Sequence, residues 1–485
     1  MDAAFVERLR KIAGRRHVLS EAADLYGYES DASIDRSLPG AVVFPGSADE
    51  VAAIVAACNE RGYPFVARGA GTGLSGGAVA ESSALIIATA RLRRILEIDP
   101  DNRLAVVEPG VPNAEIGAAA RAYGLQYIPD PSSMAVCTIG GNIAENSGGL
   151  HCLAYGVTAN HVLGVEVVTA DGDTVRLGGR VADAPGYDLL GLFVGSEGTL
   201  GIVTKAVVRL TPLFETSRTM LAVYDSIEQA SRAVSDIVAA GIIPGALEMM
   251  DRLTTIAVEE SVHAGFPTDA AAILIIEVDG LIEGVEETSA AVRRACERGG
   301  AREVRTARTE EERDRIWRGR KEAFGAIGRL SPACYVQDGV VPRTRLPEML
   351  REIADVSNRH GLRIANVFHA GDGNIHPLIL FDSNQPAEVE RAVVAGDEIL
   401  AACVRRGGSI SGEHGIGTEK RDCMTLQFGP ADLALMARVK AVFNGRDLCN
   451  PLKMFPTSRR CGEGARKLAS GKLSPAMSAA VGPAF

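Results

Sequence analysis

Residues 68–77 read RGAGTGLSGG, directly after the apolar run PFVA at 64–67. Gly71, Gly73 and Gly76 satisfy the pattern G-x-G-x-x-G, but a Rossmann site also needs a long helix that opens at the third glycine. Here the sequence continues as GAVAESSALIIATARL, a short segment and then a β-like apolar run, and no Gly-Lys-Ser/Thr follows. The stretch therefore predicts a nest of backbone amides for a diphosphate. Alone, it would better suit an ordinary glycine-rich turn.

Three further stretches are rich in small and hydroxyl-bearing residues. They read PDPSS at 129–133, TIGGNIAENSGG at 138–149 and GSEGTLGIV at 195–203. Short side chains let backbone N–H and C=O groups approach a large polar ligand closely. Together with the glycine loop, these stretches predict one extended cofactor site.

This combination resembles the vanillyl-alcohol-oxidase type of FAD-binding domain, in the branch that holds D-lactate, D-2-hydroxyglutarate and glycolate dehydrogenases. The resemblance covers roughly residues 38 to 456 and includes NSGGLHCLAYG, NVFHAGDGNIHPLILFD and SGEHGIGTEK, which are most similar to the flavoprotein subunits of bacterial glycolate oxidases. It implies an α+β protein, with a two-subdomain FAD-binding domain and an α/β cap domain for the substrate.

The resemblance also implies which residues hold FAD. The set, from the four stretches above, is Arg68, Gly69, Ala70, Gly71, Thr72, Gly73, Leu74, Ser75, Gly76, Ser132, Ser133, Gly140, Gly141, Asn142, Asn146, Gly148, Glu197, Gly198 and Ile202. Several relatives attach flavin covalently through a histidine in the glycine loop. Residues 68–77 contain no histidine, so we expect tight but non-covalent FAD.

Two histidines flank a glycine-containing turn in RIANVFHAGDGNIHPLILF at 363–381. Asp372-Gly373 predicts a two-residue type I′ hairpin, which would place His369 directly opposite His376. Opposed Cβ atoms lie ~4.5–5.5 Å apart, close enough for both rings to hold one metal ion. A separate turn supplies Glu413 and His414, and two histidines plus a carboxylate suit Zn²⁺ or another divalent ion.

The residues alone leave other interpretations open, because a cross-strand histidine pair can simply hydrogen-bond and a Glu-His pair is often solvated. The resemblance implies a divalent metal, zinc or manganese, held by His369, His376 and Glu413, with His414 as the catalytic base.

An arginine to hold a substrate carboxylate is predicted in IWRGRK at 316–321, since guanidinium binds carboxylate bidentately. The alternative is a solvated helix face. The matching Trp-x-x-Arg of the family favours Arg320 over Arg318 and Lys321.

The expected reaction is FAD-dependent oxidation of a small 2-hydroxy acid, glycolate to glyoxylate, by hydride transfer to flavin N5 with a metal-assisted histidine base.

Nine scattered cysteines without a Cys-x-x-Cys pair exclude a familiar iron–sulfur site on this polypeptide. Electrons would therefore pass to another polypeptide or to a quinone-type acceptor, and the resemblance implies a second FAD-domain subunit and an iron–sulfur subunit as partners. The alternatives are a D-lactate or other D-2-hydroxy-acid dehydrogenase that works as one polypeptide, a metal-dependent hydrolase, and a non-catalytic flavin-binding subunit.

Two departures from the family pattern bear on this expectation. Relatives specific for bulkier diacids tend to carry lysine and asparagine where Val336 and Leu378 stand, which favours a small substrate here. Leu452 replaces the glycine of an Asn-Pro-Gly-Lys motif, which puts the backbone contact at that position in doubt.

Composition adds broad limits. The 485 residues are 46% hydrophobic with a formal net charge of −10, which argues against disorder and against nucleic-acid binding. No run of eighteen apolar residues predicts a membrane span, and residues 1–16 predict an amphipathic helix with Phe5, Val6, Leu9 and Ile12 on one face. We expect a cytoplasmic protein, compatible with peripheral attachment to the inner face of the membrane.

The predicted segments are an N-terminal helical segment (1–37), the FAD domain (38–214), the cap domain with the metal site (215–420), C-terminal helices returning to the FAD domain (421–458) and a disordered tail (459–485).

Overall fold

The computed structural model describes residues 1–182 and 185–457, so the tail predicted at 459–485 lies outside the described residues. Within those two ranges, no helix is long and apolar enough to cross a membrane.

The strands alternate with helices along most of the sequence. They are β1 (Val18–Leu19), β2 (Ala41–Val43), β3 (Phe65–Arg68), β4 (Leu85–Ala88), β5 (Ile95–Asp99), β6 (Leu104–Val107), β7 (Leu125–Gln126), β8 (Val162–Thr169), β9 (Thr174–Gly178), β10 (Gly201–Arg209), β11 (Thr211–Pro212), β12 (Thr216–Tyr224), β13 (Ala246–Asp251), β14 (Ala272–Gly280), β15 (Glu303–Thr306), β16 (Ala333–Val336), β17 (Gly339–Val340), β18 (Ile364–His369), β19 (Asn374–Ile375) and β20 (Pro377–Phe381).

The α-helices differ widely in length. They are α1 (Ala3–Ala13), α2 (Ala22–Leu25), α3 (Ala48–Arg61), α4 (Asn113–Ala120), α5 (Ile139–Glu145), α6 (Cys152–Tyr155), α7 (Leu189–Phe193), α8 (Ile227–Ala239), α9 (Arg252–Val262), α10 (Ile282–Arg298), α11 (Glu310–Lys321), α12 (Ala323–Ile327), α13 (Leu346–His360), α14 (Pro386–Arg405), α15 (Met424–Gln427) and α16 (Pro430–Phe443).

These elements form two compact units. The first contains residues 1–149, 156–213 and 413–457, and the second contains residues 150–155 and 214–412.

A small sheet of the first unit, in the order β1-β2-β4-β3, carries the glycine loop. Strands β2, β4 and β3 run parallel, and α3 connects β2 to β3. Helix α3 begins after Ser47, whose hydroxyl accepts from the Glu50 amide, and ends at Gly62 with φ +69°. Residues 41–68 therefore form a strand-helix-strand unit that ends at the glycine loop. Residues 69–84 contain no helix, so the Rossmann helix is indeed missing.

Helix α1 lies on the same small sheet and closes its core. Phe5, Val6 and Leu9 are buried together with residues of β2, β3 and α3, as the sequence pattern predicts. Ile12 is only half-buried against this cluster.

A second sheet of the first unit is antiparallel, in the order β5-β6-β10-β8-β9. Its inner face packs against α4 and α5, where Ile116, Ile139 and Ile143 are buried. Helix α5 and the residues before β10 therefore rest on a rigid surface.

The second unit is built on a large antiparallel sheet, in the order β15-β12-β14-β13-β18-β19-β17, and β20 pairs with both β16 and β18. Buried residues of α9, α11 and α12 pack with core-facing residues of this sheet, including Trp317 of α11 and Ile275 of β14. That packing fixes the position of α11 over the middle strands.

Candidate functional site

The glycine loop of the first unit is held by segments that are distant from it in the sequence. The Ala32 amide donates to the Gly73 carbonyl at 3.0 Å, and the Thr418 amide donates to the Ser75 carbonyl at 3.0 Å. Gly71 and Gly76 adopt φ +73° and +78°, a region that favours glycine. The loop is thus a fixed, largely side-chain-free surface, as a diphosphate nest requires.

Arg68 supports this loop from below. Its side chain is buried, and Nη2 donates to the Ser30 carbonyl at 2.8 Å. A Cβ on Gly71 would lie 2.3 Å from the Arg68 guanidinium, so the loop passes directly over it. Burial lowers the pKa of Arg68, against the opposing influence of Asp31.

The other predicted cofactor stretches come together beside the loop. The Glu197 amide donates to the Ala144 carbonyl at 2.7 Å, which joins residues 195–203 to α5. A Cβ on Gly69 would lie 2.3 Å from the Thr138 hydroxyl. Asn450 completes the arrangement, because its Nδ2 donates to carbonyls of both Gly77 and Glu197 at 3.0 and 2.7 Å.

Three hydroxyls at this junction fit a bound polar cofactor. The side-chain oxygens of Ser75, Thr138 and Ser196 are buried and have no hydrogen-bond partner among the described residues. Buried hydroxyls ordinarily have a partner, so a ligand with many polar atoms would satisfy them. On this observation the residues present fit FAD.

Some predicted cofactor residues have side chains with structural contacts. Asn142 Oδ1 accepts from Asn113, and Asn146 Oδ1 accepts from the Ala159 amide. Ile202 is buried in the core beneath the small sheet, whereas Ser132 is exposed. The side chains of Asn142, Asn146 and Ile202 thus have contacts within the protein.

Glu413 and His414 lie in the first unit, on a loop fixed by a buried carboxylate. Glu197 accepts from the Ile416 and Gly417 amides at 2.7 and 2.6 Å. Burial raises the pKa of Glu197, and burial together with Glu197 raises that of Glu145 well above its ordinary value. The sequence reasoning missed Glu145, although an acid within a glycine-rich run was a visible signal.

The histidine hairpin of the second unit differs from the predicted one. Its register pairs His369 with Asn374 and Asn366 with Pro377, so the turn contains four residues, 370–373. Asp372 does not adopt the positive φ that a type I′ turn requires, and its carboxylate accepts from the Asn374 amide. The prediction that His369 directly faces His376 is therefore wrong.

The two rings nevertheless lie side by side. Their centroids are 5.3 Å apart in a nearly perpendicular arrangement, because His376 occupies the diagonal position on the same face. His376 is buried, with Nδ1 3.4 Å from the Gln337 carbonyl and 3.9 Å from Asp338. Nitrogen donors this close suit a divalent metal.

Arg320 is buried, whereas Arg318 and Lys321 are exposed. Its Nε donates to Glu248 Oε2 at 2.8 Å, and Nη2 lies 2.6 Å from the same oxygen. Nη1 is buried and has no hydrogen-bond partner in the described ranges. An unsatisfied, buried guanidinium nitrogen fits an incoming carboxylate, so the solvated-face alternative does not hold for this residue.

Glu248 is the residue that sequence reasoning missed here. It lies on β13 directly opposite His369, and its Oε1 is 2.8 Å from Nδ1 of that histidine. Burial alone would raise the pKa of Glu248, but His369 and Arg320 outweigh it and lower that pKa. The available signal was a lone acid in the apolar stretch ALEMMD.

A second buried carboxylate supports the same helix. Glu277 accepts from Nε1 of Trp317 at 2.8 Å and from two guanidinium nitrogens of Arg313 at 3.1 Å. Burial raises its pKa, but His151 and Arg313 outweigh that effect and bring the pKa to about 2.

Val336 and Leu378, which the sequence analysis linked to a small substrate, are cross-strand neighbours. Val336 of β16 pairs with Leu378 of β20, and both pack on the core of the second unit. Neither side chain can bind a second carboxylate.

Comparisons with known proteins identify the family of this chain. A family model described as "FAD linked oxidases, C-terminal domain" matches residues 213–454, and one described as "FAD binding domain" matches residues 39–178. The chain is 49% identical to glycolate oxidase subunit GlcD of Escherichia coli (strain K12), covering 96% of this chain and 94% of that protein. It is 42% identical to the subunit of the same name from Bacillus subtilis (strain 168), covering 94% and 97%.

A more distant relative and a solved structure complete the picture. The chain is 34% identical to a D-lactate dehydrogenase of Archaeoglobus fulgidus, covering 85% of this chain and 90% of that protein. The crystal structure of p-cresol methylhydroxylase with substrate bound superposes with a TM-score of 0.79 at 19% identity, covering 93% of this chain and 96% of that one. The latter likeness shows the fold alone.

Proposed function

This chain belongs to the family of FAD-linked oxidases and has the vanillyl-alcohol-oxidase type of fold, and on that premise we propose that it oxidises glycolate to glyoxylate. The observation that carries the proposal is the unsatisfied, buried Nη1 of Arg320 beside the His369–His376 pair. It provides a carboxylate anchor next to nitrogen donors. The glycolate oxidase subunits at 49% and 42% identity support the choice of acid.

Glycolate must lose two hydrogens, the α-hydrogen with its electron pair and the hydroxyl proton. FAD, when bound, accepts that hydride at flavin N5. Arg320 would hold the substrate carboxylate through Nη1, which fixes the orientation of the α-carbon. His414 would take the hydroxyl proton, for which an imidazole is well matched near neutral pH.

The metal site is part of the proposal. His369, His376 and Glu413 would hold a divalent ion, zinc or manganese, and such an ion lowers the pKa of a coordinated hydroxyl. Support comes from the two adjacent histidine rings and from the hydrogen bond that orients His369.

A small substrate is favoured over a diacid by the cross-strand pair of Val336 and Leu378. Glycolate needs only one carboxylate anchor, which Arg320 supplies. The runner-up, a D-lactate dehydrogenase that works as one polypeptide, has the relative at 34% identity in its favour. The FAD-linked family removes the metal-dependent hydrolase as an alternative.

The electrons would pass onward to partner subunits, a second FAD-domain subunit and an iron–sulfur subunit, or to a quinone-type acceptor. The word "subunit" in the names of the two glycolate oxidase relatives supports the presence of partner subunits, without indicating their types. The eight cysteines in the described residues form no disulfide, which suits a reducing compartment. We therefore propose a cytoplasmic location, which is compatible with peripheral attachment at the inner face of the membrane.

Anaerobic titration of the purified protein with glycolate tests the proposal. We expect the absorbance of bound flavin to bleach with glycolate and less efficiently with D-lactate. The His414→Ala variant should retain FAD and lose this reduction by at least about 100-fold. A wild-type flavin that glycolate leaves oxidised would contradict the proposed substrate, and full activity in the variant would contradict the role of His414.

A further inference from the structure

Glu248 is a charged residue on the core-facing side of a buried strand. Its neighbours on that side of β13, Ala246 and Met250, belong to the hydrophobic core, as does its cross-strand partner Ile275. Its side chain is 1% exposed. Burying a carboxylate in such surroundings is costly unless it is paired.

The two oxygens of this carboxylate have different partners. Oε1 lies 2.8 Å from Nδ1 of His369, and Oε2 lies 2.8 Å from Nε of Arg320. The first partner comes from the neighbouring strand β18 and the second from α11. One side chain therefore sets the orientation of two others that reach it from different elements.

We propose that Glu248 is a positioning residue that orients the metal ligand His369 and the carboxylate anchor Arg320 as one rigid group. The inference rests on the proposed function, because it assigns Glu248 a role in that same site.

On the histidine side, a hydrogen bond from Nδ1 to the carboxylate fixes the ring plane and the tautomer. The lone pair is then on Nε2, the nitrogen a metal would use, and such carboxylate–histidine pairs are worth about 10–100-fold in metal affinity.

On the arginine side, Glu248 engages only one edge of the guanidinium. Nε and Nη2 face its Oε2, so the remaining Nη1 points elsewhere, buried and without a partner in the described part of the chain. Without Glu248, the guanidinium would be free to rotate about its terminal torsions, and its anchor nitrogen would no longer be held in place.

A merely structural ion pair is the competing explanation, and Glu277 provides the matched control. It is also a buried glutamate on a strand of the same sheet, and it binds Arg313 and Trp317 of the same helix α11. Its hydrogen bonds run to Thr219, Arg313 and Trp317, so its loss should weaken the fold without disturbing the proposed site.

The experiment compares Glu248→Gln with Glu277→Gln in the purified flavoprotein. We expect Zn²⁺ and Mn²⁺ affinity, measured by chelator competition without substrate, to fall about 10–100-fold in Glu248→Gln and less than about 2-fold in Glu277→Gln. The KM for glycolate should rise more than kcat falls in Glu248→Gln only. Glu248→Asp, which keeps the charge on a shorter arm, should recover part of the metal affinity.

Two results would overturn the inference: unchanged metal affinity in Glu248→Gln, or an equal loss in both variants. Failure of the proposed function looks different, since wild-type flavin would then stay oxidised with glycolate whatever the metal measurements give. If Glu248→Gln does not fold, the same comparison is made with Glu248→Asp. The metal affinity of Glu248→Asp should then be at least about 5-fold below that of the wild type. An unchanged metal affinity would overturn the inference.

Discussion

Arg320 and Glu248 form an ion pair 2.6 Å long in which both side chains are 1% exposed. Such a pair stabilises a fold only weakly relative to apolar residues of the same size, but breaking it strands a buried charge. Because the pair also lies beside His369, substitutions in it should affect both stability and activity. Single and double variants can separate these two effects.

Replacing Arg320 alone by Met should therefore destabilise the protein by about 3–5 kcal/mol, since the buried Glu248 carboxylate loses its guanidinium partner and keeps only its hydrogen bond to His369 among the contacts described above. The double variant Arg320→Met/Glu248→Met should recover most of the thermal stability. Glycolate-driven flavin reduction should remain at least about 100-fold below wild type in both variants. Activity in the stable double variant would show that Arg320 does not hold the substrate.

Gly73 should matter for FAD and not for folding. A Cβ there would meet nothing within 4 Å in the protein, so Gly73→Ala leaves the apoprotein with an unchanged melting temperature. The methyl group would instead occupy the diphosphate nest, and we expect FAD affinity to fall at least about 10-fold. Equilibrium titration of apoprotein with FAD measures this, with Gly284→Ala as the control that should bind FAD normally.

Glu277 should make the second unit sensitive to acid. Its pKa is about 2 in the folded protein against 4.5 for the ordinary group, so its stabilising contribution is complete above pH 4.5 and is lost as the pH falls towards 2. The difference in melting temperature between wild type and Glu277→Gln should thus shrink between about pH 5.5 and about pH 3, which is roughly one unit above the folded pKa. A constant difference over that range would contradict the assignment.

Leu452 should be a strained position. It adopts φ +62°, a left-handed conformation that costs a residue with a Cβ roughly 1–2 kcal/mol. Glycine also gives the unfolded chain more conformational entropy, which offsets part of this gain. Leu452→Gly should therefore raise the free energy of unfolding by about 0.5–1 kcal/mol. Leu452→Ala keeps a Cβ and should show no such gain in chemical denaturation. Equal stabilisation by both would mean that the backbone is not the cause.

Local sequence determined the cofactor half of the molecule well. The Ser47 cap, the Gly62 stop and the helix-free glycine loop each depend on residues a few positions apart, and the structure confirms the predicted absence of a helix directly after the loop. The FAD-binding fold and the family are confirmed by the comparisons. The cofactor-binding positions and the metal ligands remain predictions.

The hairpin shows where local reasoning fails. Asp-Gly favours a type I′ turn, yet hydrogen bonds in the β18–β20 ladder and the Asp372 side chain set a four-residue turn instead. The histidines meet because a diagonal neighbour on the same face of a sheet is also within reach.

The sequence by itself determined which chemical groups this protein has: amide-rich glycine loops, a pair of histidines and an arginine cluster. Only the tertiary structure decided which arginine is buried and what orients it. Glu248 lies 72 residues from Arg320 and 121 from His369, and strand pairing together with the packing of α11 brings the three side chains together. Sequence patterns of a few residues carry no information about such distances along the polypeptide, because long-range contacts are fixed by burial of the whole core.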